Sequence, residues 1–552
     1  MTDFLYPTDI ARGAPFLALL GLATHYVLQK GEWDNSGHIV LGIWLASFGG
    51  IAASVHLYDT QTKTIGNTIR VTAVAGLIYF GTLTTSILIY RGFFHRTRRI
   101  PGPFLARFSK LHSVFAGVLP DFQYFRYTEK LYNEYKQDVI RTGPREVTIY
   151  CADAVPLVHG AMSRCTKGTW YSFGEHIGGK STQTTRSKEE HKRRRKAWDH
   201  ALSTKSLRDY EPRLNRHSLA LMTRLRAEAK QPSVRYTNWV NFYSFDVMGD
   251  VAFNRSFGML EKGEEADVIK LLHASMEPLS IFGHLTWGLN LITRTPAGAK
   301  ALLDHIEWTA NCLAERKKIT PKENDIFSWI LDPNEEKVSS NLNADARLAV
   351  VAGSDTTAST LAWIAYELCK NPDAQRKARE AVELACPKKT HLDVEDIANI
   401  PILDGVINEA MRLHPAVPSG VQRETPPEGI TLPNGTYIPG NVIIWMPIHC
   451  IQRDPRYFQK PLQFMPERWT DEQPQAVIDK RAFMPFNVGA YNCVGQKLAM
   501  LELRSVTANL LKLFDISFAA GEDGSTIETK SRDCFTTNVG KLDVKLTPRY
   551  KD

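Results

Sequence analysis

Three runs near the start of the chain contain no Asp, Glu, Lys or Arg. Val71 to Tyr90 is twenty residues long and is flanked by Arg70 and Arg91. That length crosses a bilayer core as a helix. Ile39 to Leu57 is a second run, interrupted only by Gly49-Gly50, and Pro15 to Leu28 is a shorter third with His25 inside it. The pattern predicts two or three membrane spans within residues 1–100. A cleaved signal peptide is not expected, because the extreme N-terminus carries Asp3 and Asp9 and no basic region. Arg91, Arg96, Arg98 and Arg99 follow the last run and predict a cytosolic side for everything after it. With three spans the N-terminus is lumenal, the Lys30–Gly37 loop cytosolic and the Tyr58–Arg70 loop lumenal. With two, the N-terminus is cytosolic. Pro101-Gly102-Pro103 then breaks any helix and makes a stiff turn into the next domain.

The pattern after residue 100 is mainly helical, with a small β portion. Ala344 to Cys369 reads as one long apolar helix. Asn371-Pro372-Asp373 stops it and starts another over Asp373 to Leu384. Asn434-Gly435 is a hairpin signal, and the β-branched run Val442-Ile443-Ile444 follows it.

Composition narrows the class without fixing it. The 552 residues are 43% hydrophobic and 23% charged, ordinary values for a folded protein. The net charge of +8 is mild at this length, and no basic-aromatic module supports nucleic-acid binding. Eight cysteines are sparse for a disulfide scaffold and none forms a CxxC pair. A reducing compartment fits, and zinc ribbons do not.

Cys493 is different from the other seven. It lies in Phe486-Asn-Val-Gly-Ala-Tyr-Asn-Cys-Val-Gly495, between Gly489 and Gly495, just before the helical pattern Gln496 to Arg504. Glycines let backbone N–H groups approach a sulfur, and a helix N-terminus favours a thiolate. A nucleophile, an axial ligand to iron and a buried structural cysteine all remain open from this loop alone. Ala352-Gly353-Ser354-Asp355-Thr356-Thr357 places helix-disfavouring residues mid-helix, as a ligand seated against the helix would require. Glu409-Ala-Met-Arg412 puts acid and base on one helical face, and Pro466-Glu467-Arg468-Trp469 follows.

In this order and spacing the four motifs resemble the cytochrome P-450 family of haem-thiolate monooxygenases, from about Pro101 to the end. The resemblance implies the mainly α P-450 fold and a catalytic domain over residues 101–552. It implies haem b, with Cys493 as the iron ligand in a loop marked by Phe486, Gly489 and Gly495. It implies a buried triad of Glu409, Arg412 and Arg468, and an acid–alcohol pair, Asp355 and Thr356, that delivers protons during oxygen activation. The family's loop usually has an arginine two residues before the cysteine. Here that residue is Tyr491, which brings no positive charge. His191, Arg195 and Arg423 match the family's other propionate partners. Substrate walls are expected from Cys165–Lys188, Ser280–Thr293, Ala349–Thr357, Ala416–Val421 and Phe535–Val539.

The multi-span anchor and the Tyr-Asn-Cys loop look like fungal secondary-metabolism members, such as tryprostatin-type hydroxylases. That implies a small hydrophobic substrate and an endoplasmic reticulum membrane. Electrons are expected from a separate membrane-bound NADPH–cytochrome P-450 reductase, docking near Lys480, Arg481 and Lys497. Two competing readings keep the haem: a redox-neutral rearrangement enzyme and a non-catalytic haem sensor. The Asp355-Thr356 pair argues against the first, and reductase-dependent NADPH consumption separates both.

Overall fold

The computed structural model describes residues 7–58, 64–119, 121–331 and 340–550. Three helices come first: Pro7–Leu28, Gly37–Tyr58 and Ile65–Ile89. The second and third are long and apolar enough to cross a membrane, and Gly13–Leu28 is a shorter apolar stretch. Most of the Tyr58–Arg70 loop's first half, and all of the chain before Pro7, lie outside the described residues.

The first helix packs along the third. A Cβ on Gly21 would meet the Tyr79 carbonyl oxygen at 2.9 Å, so the two backbones approach closely. The Tyr79 hydroxyl donates to Thr24 Oγ1 at 2.9 Å and accepts from Trp44 Nε1 at 3.0 Å, joining all three helices. His25, the polar residue in the weakest run, sits 2.7 Å from Ser86 Oγ.

The short loop between the first two helices turns back onto the large domain. Arg186 makes a two-pronged pair with Glu32, at 2.7 and 2.9 Å, and reaches Glu424 at 3.1 Å. Arg145 bridges Asp34 at 3.5 Å and Glu424 at 3.3 Å. Asn290 Nδ2 donates to the Asp34 carbonyl and to Asn35.

Helices dominate the rest of the chain. The longest, Ser340–Lys370, runs through the centre against Tyr236–Phe253, nearly all of which is buried. Gly353 is where they press closest: a Cβ there would lie 2.5 Å from the Met248 sulfur. The helix restarts at Pro372–Ala385, as Asn371-Pro372 predicts. A five-stranded sheet lies to one side, in the order Val139–Gly143, Glu146–Ile149, Ile443–Trp445, Arg423–Glu424, Thr166–Lys167. The predicted hairpin forms by pairing Ile430–Thr431 with Tyr437–Ile438, with Gly435 at φ +83 in the turn.

Candidate active site

A cavity of about 400 Å³ lies between the long central helix and the cysteine loop. Cys493 is the one cysteine of the eight that lines it. The Cys493 N–H donates to the Phe486 carbonyl at 2.9 Å, which closes the loop. Gly489 has φ +73, and a Cβ there would lie 2.1 Å from the His159 carbonyl oxygen, so only glycine fits. Gly495 has φ −80 and stands as N-cap of the Gln496–Leu513 helix. A Cβ there would lie 3.8 Å from Cys493 Sγ, an ordinary contact, so neither backbone conformation nor space within the protein demands glycine at this position. Burial pushes the Cys493 thiol up, while the Gly495 and Gln496 N–H groups and Arg195 pull it down. A thiolate here needs a cation on its cavity side. Cys450 is a contrasting case. It packs with Leu131, Ile140 and Tyr150, and burial drives its thiol to about 12.

The cavity's charged end is built by β pairing. Lys167 and Arg423 are direct partners on adjacent strands, and both are fully buried. Like charges opposed in this way are destabilising. Lys167 donates to three backbone carbonyls, of Thr182, Gln183 and Thr185, and neither cation has a carboxylate partner among the described residues. Burial and the Arg423 charge drive Lys167 down to about 6. Tyr491 lies between them, with Lys167 Nζ 4.7 Å and the Arg423 guanidinium 4.9 Å from its ring centre. Its hydroxyl, Arg423 Nε and His159 Nδ1 are buried with no hydrogen-bond partner. Arg423, a buried lysine that an adjacent anion would recharge, and the orphaned Tyr491 hydroxyl and Arg423 Nε at one cavity end fit a dianion, and haem b carries two propionates. The residues present therefore fit the cofactor.

His191 and Arg195, on the helix Lys188–Ala201, also line the cavity. Burial, then Lys167 and the neighbouring arginines, drive His191 to about 3, so it is a neutral donor. It meets the Tyr491 ring edge-on at 4.7 Å. Arg195 clamps the cysteine loop, donating to the Asn492 carbonyl at 2.8 Å and to its side chain at 3.0 Å. Arg193 faces solvent against Glu190, as expected for a solvated basic face. Arg194 does not: it is buried on Asp345.

On the opposite wall the Thr356 hydroxyl back-bonds to the Ala352 carbonyl at 2.7 Å, and Thr360 repeats the bond to Thr356 at 2.8 Å. Thr356, Thr357 and Thr360 line the cavity. Asp355 points away from it, and its Oδ2 accepts from Thr536 Oγ1 at 2.6 Å. The apolar wall includes Phe173, Met276, Leu279, Val351, Val421 and Phe535. Phe535 stacks on Trp170 at 4.6 Å and is held at φ +80, an unfavourable conformation for a bulky residue. Ser280–Thr293 contributes nothing to the lining, contrary to expectation. The wall comes one turn earlier, from Ser275, Met276 and Leu279, and the Thr286–Ile292 helix turns outward to meet the anchor at Asn290 and Leu291. The sequence placed Lys167 only within a wall segment and gave no sign of its pairing with Arg423, because a lone lysine carries no motif and only long-range strand pairing brings the two together.

Glu409, Arg412 and Arg468 meet away from the cavity, and all three are fully buried. Glu409 accepts twice from Arg412 at 2.9 Å and once from Arg468 at 2.9 Å. Trp469 Nε1 and the Met465 N–H complete its shell at 2.9 and 3.0 Å. The arginines spend their remaining donors on carbonyls of the 452–476 segment.

Comparison with known proteins agrees with this geometry. The family model described as Cytochrome P450 matches residues 116–546. The chain is 36% identical over 543 residues to cytochrome P450 monooxygenase FCK2 of Fusarium pseudograminearum, covering 96% of this chain and 97% of that protein. It is 36% identical over 501 residues to cytochrome P450 monooxygenase notG' of Aspergillus versicolor, covering 89% of each. It is 33% identical over 544 residues to a tryprostatin B 6-hydroxylase of Neosartorya fischeri, covering 96% of this chain and 97% of that one.

Proposed function

The chain belongs to the cytochrome P450 family, and we propose that it is a membrane-anchored monooxygenase acting on a small hydrophobic intermediate of fungal secondary metabolism. One observation carries the site assignment: a lone cavity thiol, Cys493, faces a space whose rim holds unpaired buried cations and whose far wall holds Thr356. The chemistry haem supplies when bound to a thiolate is oxidation of substrate with one atom of dioxygen, using two electrons and two protons.

The protein's own residues do the rest. Cys493 binds the iron, and Arg195 holds its loop in place through Asn492. Arg423 and Lys167 carry the propionate charge that Tyr491 cannot. Tyr491 and His191 each offer one neutral donor. Asp355 and Thr356 hold and pass protons at the far wall, and Trp170, Phe535 and the aliphatic lining orient the substrate and exclude water. Glu409, Arg412 and Arg468 lock the segment that precedes the cysteine loop.

Electrons come from a membrane-bound NADPH–cytochrome P-450 reductase. Lys480 and Lys497 are exposed near the loop and suit an acidic partner. Arg481 is already balanced by Asp479 and Asp153, so it adds little to that attraction.

The first helix, packed beside the third, supports three spans over two. The helix has 22 residues, but its apolar part, Gly13–Leu28, is only about 24 Å long, so the support comes from its packing along the third helix and not from its length. The Glu32–Asp34 loop contacts the catalytic domain and so shares its side of the membrane, the cytosolic side by the arginines after Tyr90. The endoplasmic reticulum fits, since the reductase partner resides there.

The test is the reduced carbon monoxide spectrum. The protein should show the long-wavelength band of thiolate ligation, and Cys493→Ala should abolish it. Retention of that band in the variant would overturn the assignment.

A further inference from the structure

Asp355 sits inside the wall between solvent and cavity. On the inner side it accepts from Thr536, which lines the cavity. On the outer side its Oδ1 lies 3.9 Å from Nε2 of His273, on the helix Asp267–Phe282. The Asp355 side chain is 12% exposed and that of His273 33%. The three residues thus form a line from solvent through protein to the cavity. A separation of 3.9 Å is closed by one water or a small side-chain rotation.

The charges around this line favour a titrating imidazole. Asp355 faces His273 from the long central helix, and Glu265 does so from the segment just before the helix that carries His273. On the hairpin beside Asp355 stand Cys534 and Arg532, and Arg532 is tied to Glu277 at 3.2 Å. Burial lowers the His273 pKa, but Asp355 and Glu265 together outweigh it and raise it above 6.5. A lysine or arginine in this place would pin Asp355 as a permanent ion pair and release no proton near neutrality.

We infer that His273 is the relay that carries protons from solvent to Asp355, a reading that rests on the roles proposed above for Asp355 and Thr356. In the step, the Nε2–H bond of the imidazolium breaks as an O–H bond forms on Asp355 Oδ1. The neutral imidazole keeps its Nδ1–H, and the ring turns so that the bare Nε2 meets solvent and regains a proton from water. The protonated carboxyl then turns so that its O–H meets the Thr536 oxygen, and it passes that proton inward as the Thr536 hydroxyl, turned away from Asp355, releases its own toward the cavity. No electrons move, and each group ends as it began.

The test uses full-length holoenzyme in membranes with reductase, NADPH and dioxygen, and needs no known substrate. NADPH oxidation is followed from pH 6 to 8.5 in H2O and D2O for the wild type, His273→Gln and Asp355→Asn. Glutamine keeps a hydrogen-bonding side chain but cannot titrate. His273→Gln should run roughly tenfold slower at pH 7, lose the fall in rate with rising pH and show a larger solvent isotope effect. In parallel, the rate of diethylpyrocarbonate acylation of His273 is read by peptide mass against pH. Its midpoint should move down in Asp355→Asn, because the partner charge is gone. A wild-type pH profile and isotope effect in His273→Gln would overturn the relay, as would an unmoved acylation midpoint. If Asp355→Asn also left NADPH oxidation unchanged, the fault would lie with the assignment of Asp355 itself. The carbon monoxide band, unchanged in His273→Gln, keeps haem ligation outside the comparison.

Discussion

At the scale of single residues, the strongest commitment is how the propionates are held. Lys167 and Arg423 face each other across strands with no carboxylate partner. A hydrogen bond to a charged group contributes about 1.5–3 kcal/mol. Lys167→Met and Arg423→Ala should each speed haem loss to an excess of apo-globin by roughly ten- to a hundredfold. Tyr491→Phe removes one neutral bond of ~0.5–1.5 kcal/mol and should change the rate less. The reverse ranking would make Tyr491 the main partner. Arg423 was legible in the sequence because it follows Glu-x-x-Arg at the family's distance. Lys167 was not, because its role comes from pairing with a strand 256 positions away, and nothing local marks it. Phe535 offers a second residue-scale test. Glycine accepts φ +80 more readily than phenylalanine, so Phe535→Gly should keep the turn and the haem while removing the stack on Trp170. Spectral shifts with a panel of aromatic scaffolds should weaken, and the carbon monoxide band should not. Loss of that band would show that Phe535 holds the fold rather than the substrate.

At the scale of elements, the helix Pro401–Leu413 and the turn Pro466–Trp469 are joined through one carboxylate. Removing it strands two buried guanidinium groups, which typically costs ~3–5 kcal/mol. Glu409→Ala should therefore yield little haem-loaded protein, and normal melting of that variant would refute the triad. The hairpin of Arg532–Cys534 and Thr536–Asn538 carries a different signature. Burial raises the Asp533 pKa to about 6, against bonds from Ser419 and two backbone N–H groups that lower it. The folded state thus holds this proton more tightly than the unfolded one. Stability from this group is full below about pH 4 and is lost as pH rises through about 6. Thermal melts should show Asp533→Asn losing less stability than the wild type between pH 5 and 8. Equal slopes would show that Asp533 does not titrate there. Element types were legible where pattern and punctuation agreed, as at Asn371-Pro372. The Thr286–Ile292 helix was misplaced because apolar residues there pack on the anchor, and periodicity cannot say which neighbour a face meets.

At the scale of the molecule, anchor and catalytic domain are not merely tethered. The sequence showed where the spans lie but not that the loop between the first two returns to grip the domain. Truncation before Arg91 removes Glu32 and Asp34 and leaves Arg186 and Arg145 sharing Glu424. Such a truncated form should melt several degrees lower than full-length enzyme in the same detergent, and Glu32→Gln in the full chain should reproduce part of the fall. Equal melting temperatures would mean the loop contacts are incidental. On sealed microsomes, outside protease should digest the catalytic domain without detergent. Its survival there would place it in the lumen.

Arg186 joins Glu32, at the mouth of the bilayer, to Glu424, and Glu424 is the chain neighbour of Arg423. Arg145 makes a parallel bridge from Asp34 to Glu424, so two guanidinium groups link the loop between the first two helices to the proposed cofactor cradle. Helices tilt to match bilayer thickness, and a tilt of the first two helices would pull on the strand proposed to hold the propionates. Enzyme reconstituted in thin and thick bilayers should release haem at different rates, Arg186→Gln should reduce the difference, and Arg186→Gln with Arg145→Gln should erase it. By that measure membrane thickness would join pH and substrate among the settings of the proposed site.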